Sequence, residues 1–158
     1  MLRIIGCVLT VICTALWGVK MSRTLKEKEK MTASMCAFIK NCGDKIELLC
    51  LPLSRIFAEY DDIVLTKSGF MEVLLEKGGE IAVSDYSESF IPGADKLMQD
   101  FFTSLGDGDR QSEVNLCRAV YRELSERLSE FRESLPGKMR IYRILPLMLS
   151  LCAVILII

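Results

Sequence analysis

The chain has 158 residues, 51% of them apolar, and contains no histidine. Twenty basic and 21 acidic residues leave a net charge of −1, a balance that argues against nucleic acid as a partner. The missing histidine removes the commonest general base and the commonest metal ligand.

The charges are unevenly placed. All 21 acids and 18 of the 20 bases lie in residues 20–140, a net of −3; Arg3 and Arg143 are the exceptions. This middle stretch is long enough for one small domain. It is flanked by two uncharged runs.

The first run is residues 4–19, "IIGCVLTVICTALWGV", with Arg3 before it and Lys20, Arg23, Lys26, Lys28 and Lys30 after it. A secretory signal would carry its charge in front and an A-x-A-like site behind; this run has no such site, and most of its positive charge follows it. Gly6-Cys7 resembles a lipoprotein start, but only six residues precede the cysteine. Residues 1–19 are therefore expected to be an uncleaved membrane helix. Gly6, Thr10, Thr14 and Gly18 recur every four residues. Such a small-residue face lets helices approach closely in lipid, although small residues are also common in membrane helices without that use.

Residues 20–30 read as a charged stalk. Met31, Met35, Phe38, Ile39, Ile46 and Leu49 then follow a helical pattern, with a bend expected at 41–43. Pro52 suits the first turn of a new helix. Ile56, Phe57 and Tyr60 mark it, and Asp61-Asp62 is expected to close it. Residues 63–93 are the least regular. A short helix is predicted over 70–77, stopped by Gly78-Gly79, while 81–93 read as irregular with room for a helical turn. A further helix is predicted over 94–105, with Leu97, Phe101 and Leu105 inward.

"LGDGDRQSE" reads as a junction between helices. Gly106 suits the left-handed conformation that ends a helix, and Asp107 or Asp109 suits the cap of the next. The stretch lacks the ladder of oxygens that a calcium loop needs.

The longest predicted soluble helix covers 111–135. Val114, Cys117, Tyr121, Leu124, Leu128, Phe131 and Leu135 alternate spacings of three and four, a coiled-coil-like seam. It fits the inner helix of a bundle, with a dimeric coiled coil as the alternative. Glu123 and Arg127 form a favourable i,i+4 pair. Pro136-Gly137 is expected to break or kink the helix. Lys138, Arg140 and Arg143 then lead into residues 144–158, which carry no charge. With 141–143 added, and Arg143 snorkelling, the segment spans about 27 Å of helix, near the hydrocarbon thickness. A buried terminal helix of a soluble domain is the alternative. Ser150 and Ala153 are the partners expected for the small-residue face.

The basic flanks place residues 20–140 in the cytoplasm and both termini outside it. Cys7, Cys13 and Cys152 fall in the membrane runs; Cys36, Cys42, Cys50 and Cys117 fall in the domain. No C-x-x-C occurs, and reduced thiols packed as small apolar groups are expected. A Cys36/Cys42/Cys50 metal site lacks standard spacing. No phosphate loop, G-x-S-x-G or H-E-x-x-H is present. The expectation is an all-α, membrane-anchored helical bundle without cofactor or enzymatic activity: helix 1–19, cytoplasmic bundle 20–140, helix 141–158.

These pieces resemble the stage III sporulation protein AB family of endospore-forming bacteria. "LRIIGCVLTVICTALWGV" is similar to its first helix and "KIELLCLPL" to its helix-ending stretch. "LGDGDR" is similar to its Leu-Gly-x-x-Asp turn, and "KMRIYRILPLMLSLCAVILII" to its basic entry into a last membrane helix. Glu113, Leu51 and Pro136-Gly137 depart from the family pattern, and 61–93 match it poorly. The resemblance implies a mother-cell protein in the membrane around the forespore, part of a channel-like assembly. It implies a cytoplasmic domain similar to that of type II secretion platform proteins. It also implies a partner, the sporulation secretion-type ATPase, stage III sporulation protein AA.

A non-enzymatic platform that docks this ATPase is the function expected. Leu105, Gly106, Asp109, Arg110 and Glu113 are the expected dock, with Asp109 and Arg110 as mere caps the alternative. Lys20, Arg23, Lys138, Arg140 and Arg143 are expected at the lipid surface. The rivals are an oligomeric channel or transporter subunit, disfavoured by the lack of intramembrane charge, and a membrane-bound scaffold without ATPase contact.

Overall fold

The structure is a computed structural model. It describes residues 12–49, 51–106, 108–142, 144–146, 148 and 152 in full, together with the helical backbone course of the two terminal helices. Among the described residues seven α-helices follow one another: α1 (Leu2–Leu49), α2 (Leu53–Glu59), α3 (Ile63–Ser68), α4 (Phe70–Lys77), α5 (Gly79–Asp85), α6 (Ala94–Ser104) and α7 (Arg110–Ile157), with a 3-10 turn at Ser87–Ser89. There is no strand among the described residues, so the fold is all-α. The chain divides into two compact units, Lys28–Phe131 and the pair Met1–Glu27 with Arg132–Ile158.

No proline falls between residues 2 and 49, and α1 stays helical through 41–43, where a bend was expected. Cys42 and Gly43 are buried there. The glycine serves packing rather than bending, since a Cβ on Gly43 would lie 3.0 Å from Cys117 Cβ. That near-contact brings α1 and α7 together over a glycine. Pro52 lies just beyond the helix end and stands at the N-cap of α2.

The core of the larger unit is built on two helix faces. Met31, Met35, Phe38, Ile39, Cys42 and Ile46 of α1 are buried, as are Val114, Cys117, Leu124, Leu128 and Phe131 of α7. The seam expected on α7 is therefore the buried face. Tyr121 is only half-buried, and Val120 is buried beside it. The short helices close over these faces. Phe38 meets Phe57, Tyr60 and Phe102 at centroid distances of 5.5, 5.0 and 6.4 Å. Phe70 packs edge-on against Tyr86 and Phe90. Each fully buried Phe or Leu contributes roughly 1.5–3 kcal/mol.

Residues 61–93 are more helical than their sequence suggests. Asp62 does not close α2; it caps α3, its Oδ1 accepting the Val64 and Leu65 N–H groups at 2.9 and 3.0 Å. Gly69, at φ +81°, ends α3 and starts α4. The helix predicted over 70–77 is α4, and Gly78 at φ +91° stops it. Residues 79–85, read as mainly irregular, form α5. Gly79 has no room for a side chain, because a Cβ there would come within 2.8 Å of three atoms of Phe102.

The face of α6 is also corrected. Leu97 and Leu105 are half-buried, while Ala94, Met98, Phe101 and Phe102 are buried. The contact of Phe102 with Gly79 rotates the inward face toward α5.

The loop before α6 is clamped on both sides. Thr32 Oγ1 donates to the Lys28 carbonyl at 2.9 Å and accepts the Ile91 N–H at 3.2 Å. Arg127 Nη1 donates to the Gly93 carbonyl at 2.9 Å, and its Nη2 donates to Glu123 at 2.6 Å.

In the smaller unit, Gly18, Ser22, Leu135 and Pro146 are buried. Ser22 Oγ donates to the Gly18 carbonyl at 3.0 Å, which satisfies its hydroxyl within the helix. Pro136 and Gly137 lie inside α7 and do not break it. Pro136 removes one helix N–H, and the turns on either side of it carry the helix through. Among the described residues no helix is long and apolar enough to cross a membrane. Residues 4–11 and most of 144–158, on which the expected spans rest, lie outside them.

Candidate docking corner

One end of the larger unit gathers the last turn of α1, the start of α2 and the turn between α6 and α7. The residues expected to dock a partner fall here. Gly106 takes φ +102°, and a Cβ on it would lie 3.7 Å from Leu53 Cδ1. Leu105 is half-buried and Gly106 exposed. Asp107 lies outside the described residues.

Asp109 precedes α7. The Ser112 hydroxyl donates to its Oδ1, and N–H groups of the first turn add to that bond. Together they hold its carboxyl below the usual carboxylate range. It is the helix cap.

Arg110 is engaged too. Its Nε donates to the Ile46 carbonyl at 3.0 Å, and its Nη2 donates to the Glu47 carbonyl. These carbonyls belong to the last turn of α1, where no intrahelical N–H reaches them. A cation is favoured at that end of a helix dipole. Two turns further on, Arg118 Nη2 reaches Glu47 Oε1 and Oε2 at 2.7 and 2.6 Å. Two arginines of α7 thus hold the end of α1. Glu113 is half-buried. Arg110, expected at an exposed helix entrance, is placed as a tie between helices.

What the corner presents outward is apolar. Leu48 and Leu49 are 76% and 60% exposed. Their neighbours in α1 are engaged in ion pairs: Lys45 with Glu59 at 3.7 Å, where Arg55 also reaches Glu59 at 2.7 Å, and Glu47 with Arg118. Exposed apolar side chains next to polar groups suit a binding surface. Leu49, expected to continue the apolar pattern of α1, is instead left uncovered with Leu48 where the helix ends.

Behind the corner, Cys42 and Cys117 are buried free thiols. Burial, then the neighbouring Cys117, pushes Cys42 above the usual thiol range. Burial, then Glu113, pushes Cys117 up to about 11. Both stay protonated at neutral pH and are poor nucleophiles. Cys36 is also buried, and Cys50 lies outside the described residues. Lys40 Nζ sits 5.9 Å above the Tyr121 ring, closing the shallow groove between Ile39, Gly43 and Cys117.

In the smaller unit, Lys20, Arg23, Lys138 and Arg140 are exposed; the side chain of Arg143 lies outside the described residues. Of the small-residue face, Gly18 is buried and Thr14 half-buried, and Ser22 extends the same four-residue spacing. Gly6, Thr10, Ser150 and Ala153 lie outside the described side chains.

Residues 80–158 match the model of a protein family described as stage III sporulation protein AB. No curated protein and no solved structure matches the chain.

Proposed function

The chain belongs to the stage III sporulation protein AB family, and from that premise we propose that it is a non-enzymatic platform protein of a sporulation assembly. Its two helix ends sit in the membrane around the forespore, on the mother-cell side. Its bundle lies in the cytoplasm and docks the secretion-type ATPase, stage III sporulation protein AA, beside other membrane components of the assembly.

The observation that carries this reading is where the exposed apolar side chains fall. Among the described residues, nine of the fourteen large ones lie in the smaller unit, including Leu16, Trp17, Ile141, Leu145 and Met148. Water is a poor solvent for such a surface, and hydrocarbon is a good one. Lys20, Arg23, Lys138 and Arg140 border it in sequence, as a cytoplasmic flank would. Leu48 and Leu49 supply the second apolar surface, at the end of α1 in the larger unit, and exposed apolar side chains of this kind suit a protein partner.

The test is co-purification of the full chain, in detergent, with the secretion-type ATPase of the same organism. Binding at micromolar concentration, weakened at least tenfold by L48E/L49E, supports the dock. Binding that ignores this pair keeps the platform and moves the dock elsewhere. Absence of binding leaves a scaffold that meets only membrane partners.

A further inference from the structure

The charge of the larger unit is concentrated in its short helices. Residues 61–100 hold nine acids and three bases, Lys67, Lys77 and Lys96. Bases within the stretch do not neutralise this charge. The ion pairs at Glu47, Glu59 and Glu123 all lie outside it. Glu72, Glu76, Glu80 and Asp85 are exposed and form none.

Apolar side chains stand among them. On α4, Glu72, Leu75 and Glu76 share one exposed face at spacings of three and four. On α5, Ile81 and Asp85 share a face, as do Glu80 and Ser84. Leu75 is 55% and Ile81 47% exposed. Both helices turn their other sides inward, burying Phe70, Met71 and Leu74 on α4 and Ala82 and Val83 on α5. The face is also firmly set. Gly78 turns the chain at φ +91°, and Gly79 lies directly against the Phe102 ring.

We propose that the outward face of α4 and α5 docks a basic amphipathic helix of a partner protein. Leu75 and Ile81 take its apolar stripe; Glu72, Glu76, Glu80 and Asp85 meet its lysines and arginines. Charge complementarity selects this occupant. An anionic bilayer and a nucleic acid are both repelled by the face. A second copy of this chain carries its basic excess at residues 20–30 and 138–143, the stretches that the proposed function sets against lipid. An amphipathic helix presents an apolar stripe flanked by charge, and the exposed carboxylates give such an encounter both its rate and its salt dependence. The inference is independent of the ATPase reading, since the leucine corner and this face share no residue.

The test is a photoreactive benzoylphenylalanine placed at Leu75 or Ile81 of the full chain in sporulating cells, with the cross-linked peptide sequenced. The expected product is a segment of another protein, net positive, with apolar residues every three to four positions. Its yield exceeds that from Ser129, exposed on α7, and falls at least tenfold in E72K/E76K/E80K. E72Q/E76Q/E80Q, which leaves the helices their length and shape, should lower it severalfold. Cross-links to this chain itself, to lipid or to an acidic segment overturn the proposal. So does a yield no higher than that from Ser129, or one insensitive to both charge variants.

Discussion

Arg110 and Ile46, 64 residues apart, are joined by a guanidinium–carbonyl hydrogen bond of 3.0 Å. Removing it frees the last turn of α1. Arg110→Ala is expected to cost about 1 kcal/mol, the usual worth of a partly exposed charged hydrogen bond. Amide exchange at residues 47–49 should quicken before that of the core. Urea unfolding and exchange measured together check this; unchanged exchange at 47–49 would show that α1 ends firmly without the arginine.

Thr32 is fully buried and uses both halves of its hydroxyl. Thr32→Val keeps the shape and leaves the Ile91 N–H without a partner, at a cost of about 1–3 kcal/mol. Thr32→Ser should retain most of the stability. Thermal melting of the two variants side by side separates the hydrogen bond from the packing.

The buried thiols predict an alkaline slope. Cys42 lies above the usual range and Cys117 at about 11, against an ordinary 9.0. Below pH 9 both folded and unfolded chains keep these protons. Above it the unfolded chain releases them and the folded core does not, so stability falls as pH rises from about 9 through 11. Tyr60, pushed up to about 12 by burial and then by Asp62, acts in the same sense at higher pH. Urea midpoints at pH 8 and 10.5 should differ, and the difference should shrink in C42A/C117A. An equal slope in that variant would assign the loss to other groups.

Membrane insertion has its own readout. Cys13 and Cys152 are exposed on their helices. If those faces meet lipid, a charged maleimide labels neither thiol in sealed proteoliposomes and both after detergent. Labelling before detergent would remove the two spans.

The sequence made some parts of this fold readable and hid others for physical reasons. The α7 seam was legible because three heptads repeat one spacing. The boundaries of α4 were legible because glycines punctuate it. The six and seven residues of α3 and α5 are too few to display a period, and the capping role of Asp62 looks the same as a helix stop. The inward face of α6 was misjudged by about one position, since a glycine 23 residues earlier decides where Phe102 packs. Arg110 was read as free for a partner because its own partner is a backbone carbonyl, which leaves no mark in the residue letters. The exposure of Leu49 was hidden for the opposite reason: its spacing continues the buried pattern of α1 past the point where the fold covers it.

The close approach of α1 and α7 also bears on how the chain is made. Glu47 meets Arg118 across 71 residues, and Gly43 waits for Cys117. A ribosome adding roughly 5–20 residues per second needs about 4–14 s to cover that gap. During that interval Met35, Phe38, Ile39 and Ile46 have no α7 to cover them. The short helices emerge first and shelter part of that face, so their early folding would guard the newborn chain against aggregation.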